Sequence, residues 1–411
     1  MRLLPPRRRP LTATKAGVSR GNDLTPGKQD DGWTVLPPVT LEDGSIVRLY
    51  KDAEGVRAAY QSIERASQSI FIEFYIFASD STGQAFANLL SQKAEQGVKV
   101  YLIYDAFGSF GSQGRMFRTM RKAGVRIGKF HPVWPWECSF SWRPFNRDHR
   151  KLLIVDGEHV VMGGLNIADE WAGPWKSNKQ DCADFWRDGS IALSGPAARH
   201  FTQAFVQTWQ YVTSGGRITR ALYSHNLNFA AGPVAVLASV PTMDSPLGAF
   251  LPKFIAGATL TIDLTAAYFA PSEEFLNQLC RASARGVRVR MMLPDKTDAP
   301  IIVLAARSFY ARLMDAGIHI YERRHVVLHA KTLVIDGTLS LLGSPNLDYR
   351  SIGYNCELLA GLRSAQFAQQ MEKVFDHDIA HASPIRPAKW RHRPTRDRII
   401  QWAANRSRYL L

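Results

Sequence analysis

The chain has 411 residues and a mass of 46.0 kDa, which leaves room for two domains of about 150–200 residues each. A hydrophobic content of 45% with 11% aromatics excludes a disordered chain. Four dispersed cysteines (Cys138, Cys182, Cys280, Cys356), with no CxxC pair, exclude a disulfide framework, a zinc ribbon and an iron–sulfur site. The net charge of +15 points to an anionic partner: phosphate, nucleic acid or acidic lipid.

That charge is concentrated at the ends. Residues 1–28 hold seven basic side chains against Asp23, and residues 386–411 hold eight against Asp397, so the tails carry +6 and +7 and the body only +2. The opening residues contain arginines and prolines but no apolar core of the length a secretory signal needs. No apolar run is long enough to predict a membrane-spanning helix. The N-terminal tail reads as solvated disorder. In the C-terminal tail Trp390, Ile399, Ile400, Trp402, Tyr409, Leu410 and Leu411 interleave with arginines. That mixture suits a segment lying on anionic lipid; disorder and docking onto the body are the alternatives.

Between the tails one unit occurs twice. In the first copy 69–77 reads as a buried strand, 83–96 as a helix and, after Gly97, 98–105 as a strand; a helix then leads to Gly124 and the strand 125–127. In the second, 259–269 reads as strand and 272–285 as a helix opened by Ser272 with acids in its first turn. Gly286, the strand 287–295, a helix to Gly317 and the strand 318–320 follow. Each of these glycines suits the left-handed position that ends a helix before a strand. Repeated strand–helix–strand units predict an α/β fold of two pseudo-symmetric domains, each a sheet covered by helices. The expected layout is a basic tail (1–32), a first domain (33–215), a joint (216–250), a second domain (251–385) and a basic aromatic tail (386–411).

Each copy then carries the same polar set, HRKLLIVDG at 149–157 and HAKTLVIDG at 329–337. Strand periodicity places His149 beside Lys151 and His329 beside Lys331 on one face. The turns GGLN and GSPN follow and bring Asn166, Asn346 and Ser344; an acid comes next in each copy, Asp188 and Glu357. A single His-Lys pair also fits a structural hydrogen-bonding role, and Asp156 and Asp336 precede glycine as turn formers do. Two identical polar sets embedded in apolar strand sequence favour chemistry, because burying them without purpose is costly. Facing one another across a pseudo-two-fold interface, they would supply two imidazoles and two ammonium groups around one space. A phosphodiester needs an in-line nucleophile, a proton for the departing alkoxide and positive charge on its oxygens. The expected catalytic set is His149, Lys151, Asp156, His329, Lys331 and Asp336. Asn166, Asn346 and Ser344 are expected to hold phosphate, and Asp188 and Glu357 to fix the tautomer of a histidine. The ammonium groups supply the charge, so no metal and no cofactor is expected.

These residues resemble the phospholipase D superfamily, whose mark is a duplicated HxKx4D motif, and are similar to bacterial cardiolipin synthases of the shorter type without N-terminal membrane helices. The likeness extends through FIEFYIF (71–77), GVKVYLIYDAFGS (97–109), WRD (186–188), AYFAP (267–271), YARLMDAGIHIYE (310–322) and GSPNLDYRS (343–351). It implies two α/β/α sandwich domains sharing one active site and a covalent phosphatidyl-histidine intermediate. It further implies transfer to the headgroup glycerol of phosphatidylglycerol, from a phosphatidylglycerol or phosphatidylethanolamine donor. It assigns nucleophilic attack to His149 and acid catalysis to His329, although the sequence is symmetric on this point. It also implies a peripheral protein on the cytoplasmic face of the bacterial inner membrane, on an anionic surface. The aromatic stretch 133–146, with Trp134, Trp136, Phe140, Trp142 and Phe145 beside Arg143 and Arg147, fits that setting, though such residues also pack in cores. A hydrolase releasing phosphatidic acid would carry the same motifs. A nuclease is disfavoured because the body is nearly neutral, so no nucleic-acid partner is expected. A non-catalytic lipid-binding module is disfavoured by two complete motifs.

Overall fold

The computed structural model describes residues 33–137, 144–173, 185–216, 228–241 and 246–408. The N-terminal tail and the loop residues Phe140, Trp142 and Arg143 lie outside these. The first half contributes β1 (Val39–Thr40), β2 (Ile46–Lys51), β3 (Ser69–Phe74), β4 (Lys99–Asp105), β5 (Arg126–Phe130), β6 (Arg147–Asp148), β7 (Lys151–Val155), β8 (His159–Gly163) and β9 (Gly189–Ser194). The second contributes β10 (Val234–Ser239), β11 (Thr261–Ala266), β12 (Arg288–Lys296), β13 (His319–Val327), β14 (Lys331–Ile335), β15 (Leu339–Gly343), β16 (Asn355–Arg363) and β17 (Ala382–Pro384).

The first sheet runs β1-β2-β9-β8-β7-β3-β4-β5 and the second β10-β16-β15-β14-β11-β12-β13-β17. From β2 to β5 and from β10 to β13 the strands correspond one for one, so the duplication seen in the motifs extends to whole sheets. Parallel pairs (β3 with β4, β4 with β5) are joined through helices, as crossover connections require. The helices Ser81–Glu95 and Glu273–Ala284 do this in equivalent places. Ser272 caps the second by accepting from the Phe275 N–H.

Within the stretch expected to be a joint, the described residues include elements of the second domain. Val234–Ser239 forms an edge strand, β10, fully buried against β16, and Pro246–Gly257 is helical. Its apolar run VAVLAS makes it a strand buried on both faces, a signal that the flanking Ser, Pro and Gly obscured.

Each sheet buries one face under its own helices, in a core built around Phe74, Phe86 and Leu102 in the first half and Leu264, Leu279 and Phe309 in the second. The opposite faces meet in a shared core. There the helix Ala198–Thr213 supplies Phe201 and Phe205, the helix Ala365–Ala380 supplies Phe367 and Met371, and both sheets supply strand residues such as Leu152, Ile154, Val236 and Leu358. The central strand β7 is buried at every residue, so polar side chains at its start stand in an apolar wall.

The C-terminal tail docks. Helices Pro387–Arg391 and Thr395–Arg406 lie on the helix Pro300–Asp315. Trp390 packs 5.0 Å from Tyr310, Arg391 pairs with Asp315 at 2.7 Å, and Arg408 pairs with Glu273 at 3.2 Å. Gln401 and Ala404 face inward, while Ile399 and Trp402 stay exposed beside Arg396, Arg398 and Arg406.

Candidate active site

Two short backbone exchanges join the halves where the motifs begin. β6, just ahead of His149, pairs in parallel with Asn355 and Cys356 of β16, and the His149 N–H donates to the Cys356 carbonyl at 2.9 Å. In the equivalent place Leu328 bridges to Arg187, and the His329 N–H donates to the Arg187 carbonyl at 2.7 Å. The residue following each carbonyl is an acid. Glu357 therefore reaches His149 of the other half, with its Oε1 3.0 Å and its Oε2 3.1 Å from Nδ1. Asp188 Oδ2 likewise stands 2.7 Å from Nδ1 of His329. Each imidazole is oriented by the opposite half.

A carboxylate only accepts, so Nδ1 of each ring carries the hydrogen and Nε2 is left with its lone pair. Burial pushes the Glu357 carboxyl up, but the imidazole of His149, its hydrogen bond and Lys151 outweigh this and hold it at about 2. Asp188 is held low in the same manner, with burial opposed by His329 and Lys331. Burial lowers His149 to about 4, against the pull of Glu357 and with the help of Lys151. Burial and Lys331 also lower His329, against Asp188. At neutral pH both contacts are thus hydrogen bonds from neutral rings to carboxylates rather than ion pairs.

The lysines lie one strand repeat further along, and each ammonium donates to the carbonyl of the histidine in its own motif. Burial brings Lys151 down to about 7 and Lys331 to about 8, each partly restored by the nearby carboxylates. These groups are placed to take up charge when an anion enters.

The turns after β8 and β15 bring the remaining polar groups. A Cβ at Gly164 would lie 2.2 Å from Asp188 Oδ1, so glycine there leaves room for the acid. At the matching position Ser344 donates to Glu357 Oε2, steadying the longer acid rather than facing the cleft. Asn166 Oδ1 accepts from the Ile76 N–H at 3.1 Å, whereas Asn346 Oδ1 is buried without a hydrogen-bond partner among the described residues. His149, His329, Asn166 and Asn346 line one cleft of about 200 Å³, shared with Tyr75, Trp171, Trp186, Tyr268, Asp298 and Asp348.

Asp156 and Asp336 do not join them. They close β7 and β14 at the end away from the histidines, with φ of 53° and 52°. Asp156 accepts from the N–H groups of Ser67, Gln68 and Ser69 at 2.8–2.9 Å, and Asp336 from those of Thr259, Leu260 and Thr261 at 2.7–2.9 Å. Their expected place in the catalytic set is corrected: they are turn formers that pin the start of β3 and β11. The physical reason is strand rise, since each aspartate lies five positions beyond its lysine, about 17 Å along the strand.

Sequence reasoning missed Tyr75, Trp171, Asp298 and Asn355. Tyr75 meets His149 edge-on at 5.0 Å, and Trp171 and Trp186 flank His329 at 5.3 and 5.1 Å. The duplication gives no signal for them, because they do not repeat: the strand register sets Ala267 opposite Tyr75, and the second motif's turn carries Ser351 where the first has Trp171.

A two-domain fold with one histidine–lysine set from each half, joined at a single cleft, defines the duplicated phospholipase D-like class. The family described as cardiolipin synthase, PLD-like domain, matches residues 60–209 and 251–379, and the chain belongs to it. It is 34% identical to a cardiolipin synthase of Geobacillus thermodenitrificans over 368 residues, 89% of this chain and 72% of that one. A probable cardiolipin synthase of Bacillus subtilis is 30% identical over 341 residues, 82% of this chain and 67% of the relative. The phosphatidylserine synthase of Haemophilus influenzae superposes with a TM-score of 0.70 over 92% of this chain and 97% of its own, at 13% identity, and so shares the fold. Family membership places the chain among phosphatidyltransferases. Among the described residues no helix is long and apolar enough to cross a membrane.

Proposed function

We propose that this chain moves a phosphatidyl group from a phospholipid donor to the headgroup hydroxyl of phosphatidylglycerol, forming cardiolipin through a covalent phosphatidyl-histidine. The observation that carries this reading is the pair of neutral imidazoles in one cleft, each with Nε2 free and Nδ1–H tied to a carboxylate of the opposite half. Nε2 of His149 attacks phosphorus, the bond from phosphorus to the leaving headgroup oxygen breaks, and His329, protonated, gives its proton to that oxygen. His329, now neutral, takes the proton of the incoming glycerol hydroxyl, which attacks phosphorus and expels His149. The anionic phosphate itself supplies what His329 lacks in the empty cleft, a negative charge that raises its proton affinity. Lys151, Lys331, Asn166 and Asn346 hold the phosphoryl oxygens.

The surroundings fit a lipid substrate. Phe107 lines the cleft, and with Phe110, Trp134, Trp136 and Phe145 it forms an exposed aromatic rim; Trp136 is 76% and Phe145 70% exposed. Such a rim suits the headgroup level of a bilayer. The docked C-terminal helix, with Ile399, Trp402 and its arginines outward, suits the same anionic surface. The cytoplasmic face of the bacterial inner membrane is the setting this reading assigns.

The test is to incubate purified protein with phosphatidylglycerol vesicles, with and without phosphatidylethanolamine, and identify products by mass. Cardiolipin with released glycerol supports the proposal. Phosphatidic acid alone would assign a hydrolase, and DNA cleavage without a lipid product a nuclease.

A further inference from the structure

The chemistry at phosphorus is symmetric between the halves, but the walls of the cleft are not. On the first-half side Tyr75, Ile76 and Phe107 present apolar and aromatic surface that continues into the exposed rim, with one cation, Arg147, held from behind by Asp105 and the His131 carbonyl. The register of β3 with β7 and of β11 with β14 makes Tyr268 the counterpart of Ile76. There the wall is polar. Tyr268 donates its hydroxyl to Asp298 Oδ1 at 2.5 Å, Thr297 Oγ1 donates to the same oxygen at 3.0 Å, and Oδ2 has no hydrogen-bond partner among the described residues. Asp348, 3% exposed, stands on this wall where the first half has Ala168, its Oδ1 accepting from the Ser351 N–H. Asn346, 5% exposed, adds an amide oxygen with no partner among the described residues, although its counterpart in Asn166 is satisfied by Ile76.

Asp298 is exposed at the mouth of the cleft and Asn346 Oδ1 is buried within it, and these acceptors are matched by a ligand that brings hydrogens. A phosphate brings none; a polyol brings one on each hydroxyl. Resting on the phosphatidyl-transfer reading, we infer that Tyr268, Asp298, Asp348 and Asn346 form a subsite for the glycerol of the headgroup. The leaving and the entering alcohol both pass the proton-handling ring, so one subsite serves both half-reactions. β11 and β14 place it beside His329, the ring assigned to that work. The opposite, apolar wall is left for the diacylglycerol part of the donor. Tyr268 acts here as a positioning residue, holding the Asp298 carboxylate toward the cleft. A filled polyol subsite also keeps water from the phosphatidyl-histidine, which separates a transferase from a hydrolase.

The experiment uses the full chain on phosphatidylglycerol vesicles, with isotopically labelled glycerol and ethanolamine as competing acceptors. In parallel, 32P-labelled donor reports the phosphatidyl-enzyme. Asp298→Asn is expected to lower glycerol incorporation relative to phosphatidic acid by about tenfold, the worth of one charge-assisted hydrogen bond. Tyr268→Phe is expected to shift the same ratio in the same direction by less. Covalent labelling is expected to remain detectable in both, though slower, because the histidines that make and break the bond at phosphorus are untouched while the leaving glycerol loses one contact. An unchanged ratio in both variants with labelling intact would overturn the subsite while leaving the transfer reading in place. A wild-type preference for ethanolamine that Asp298→Asn abolishes would overturn it in favour of an ammonium site. Absence of label in the unmodified protein would overturn the transfer reading itself and the subsite with it.

Discussion

His149 meets Tyr75, whereas His329 lies between Trp171 and Trp186 with its carboxylate partner closer, at 2.7 Å. Both rings have aromatic neighbours, so it is the shorter bond to Asp188 that favours a cation at His329 and supports it as the proton donor, with His149 as the neutral nucleophile. His329→Ala is expected to lose about 100- to 10,000-fold in turnover, the usual worth of a general acid, and His149→Ala to abolish it. With 32P-labelled phospholipid the His329 variant should label more readily than the His149 variant; the reverse pattern would exchange the two roles. The pH dependence follows from the same environments. Nucleophilic attack needs His149 neutral, so kcat/KM should rise as pH passes about 4. On the proposed mechanism proton donation needs His329 charged and phosphate binding needs both ammonium groups, so kcat/KM should fall first as pH rises past the lowered His329 value, and further as it passes about 7 and then 8. A pH–rate profile measured on free enzyme with dilute substrate checks both limbs.

At the scale of elements, much was legible because it is local. Gly97, Gly124, Gly286 and Gly317, expected to end helices in left-handed geometry, have φ of 92°, 100°, 93° and 89°. The strand period placed each lysine with its histidine. What stayed hidden is long-range: Glu357 and His149 are 208 residues apart, and Asp188 and His329 are 141 apart, so nothing in either segment announces the crossed pairing. The motif aspartates were misjudged because a turn former and a catalytic acid look alike beside glycine, and only the geometry separates them. Backbone hydrogen bonds, opposed by slight burial, hold both carboxyls below their usual range. A folded-state value below the unfolded one adds stability above the unfolded pKa, about 3.9, and that contribution disappears as pH falls through the depressed folded value. Asp156→Ala is expected to cost about 1–3 kcal/mol in urea unfolding at pH 7, with the difference shrinking in acid. The folded fraction should keep its turnover, unlike the histidine variants.

At the scale of the whole molecule, the basic tail proves to be a docked part of the body at its C-terminal end, with a cationic and aromatic outer face. Truncation would bare Tyr310, so substitution is the cleaner probe. Replacing Arg396, Arg398 and Arg406 with glutamine should weaken binding to anionic vesicles and flatten its salt dependence, read by sedimentation at two ionic strengths. Unchanged binding would assign the contact to the aromatic rim. The two halves are also locked by buried charge: Arg187 of the first donates to Asp378 of the second at 2.7 Å and lies 3.5 Å from Asp52. Arg187→Met leaves Asp378 with Arg323 at 3.6 Å and Asp52 with Lys51 at 3.3 Å, and loss of the cation between them is expected to cost up to about 3–5 kcal/mol. The crossed hydrogen bonds at the motifs carry this further. Because every imidazole borrows its carboxylate from across the seam, a fragment holding one sheet alone would own a ring with no tether and an acid with no ring. Two inert fragments, expressed separately and then mixed, would regain turnover only to the extent that they reassociate, which makes catalysis a direct gauge of whether the seam is shut.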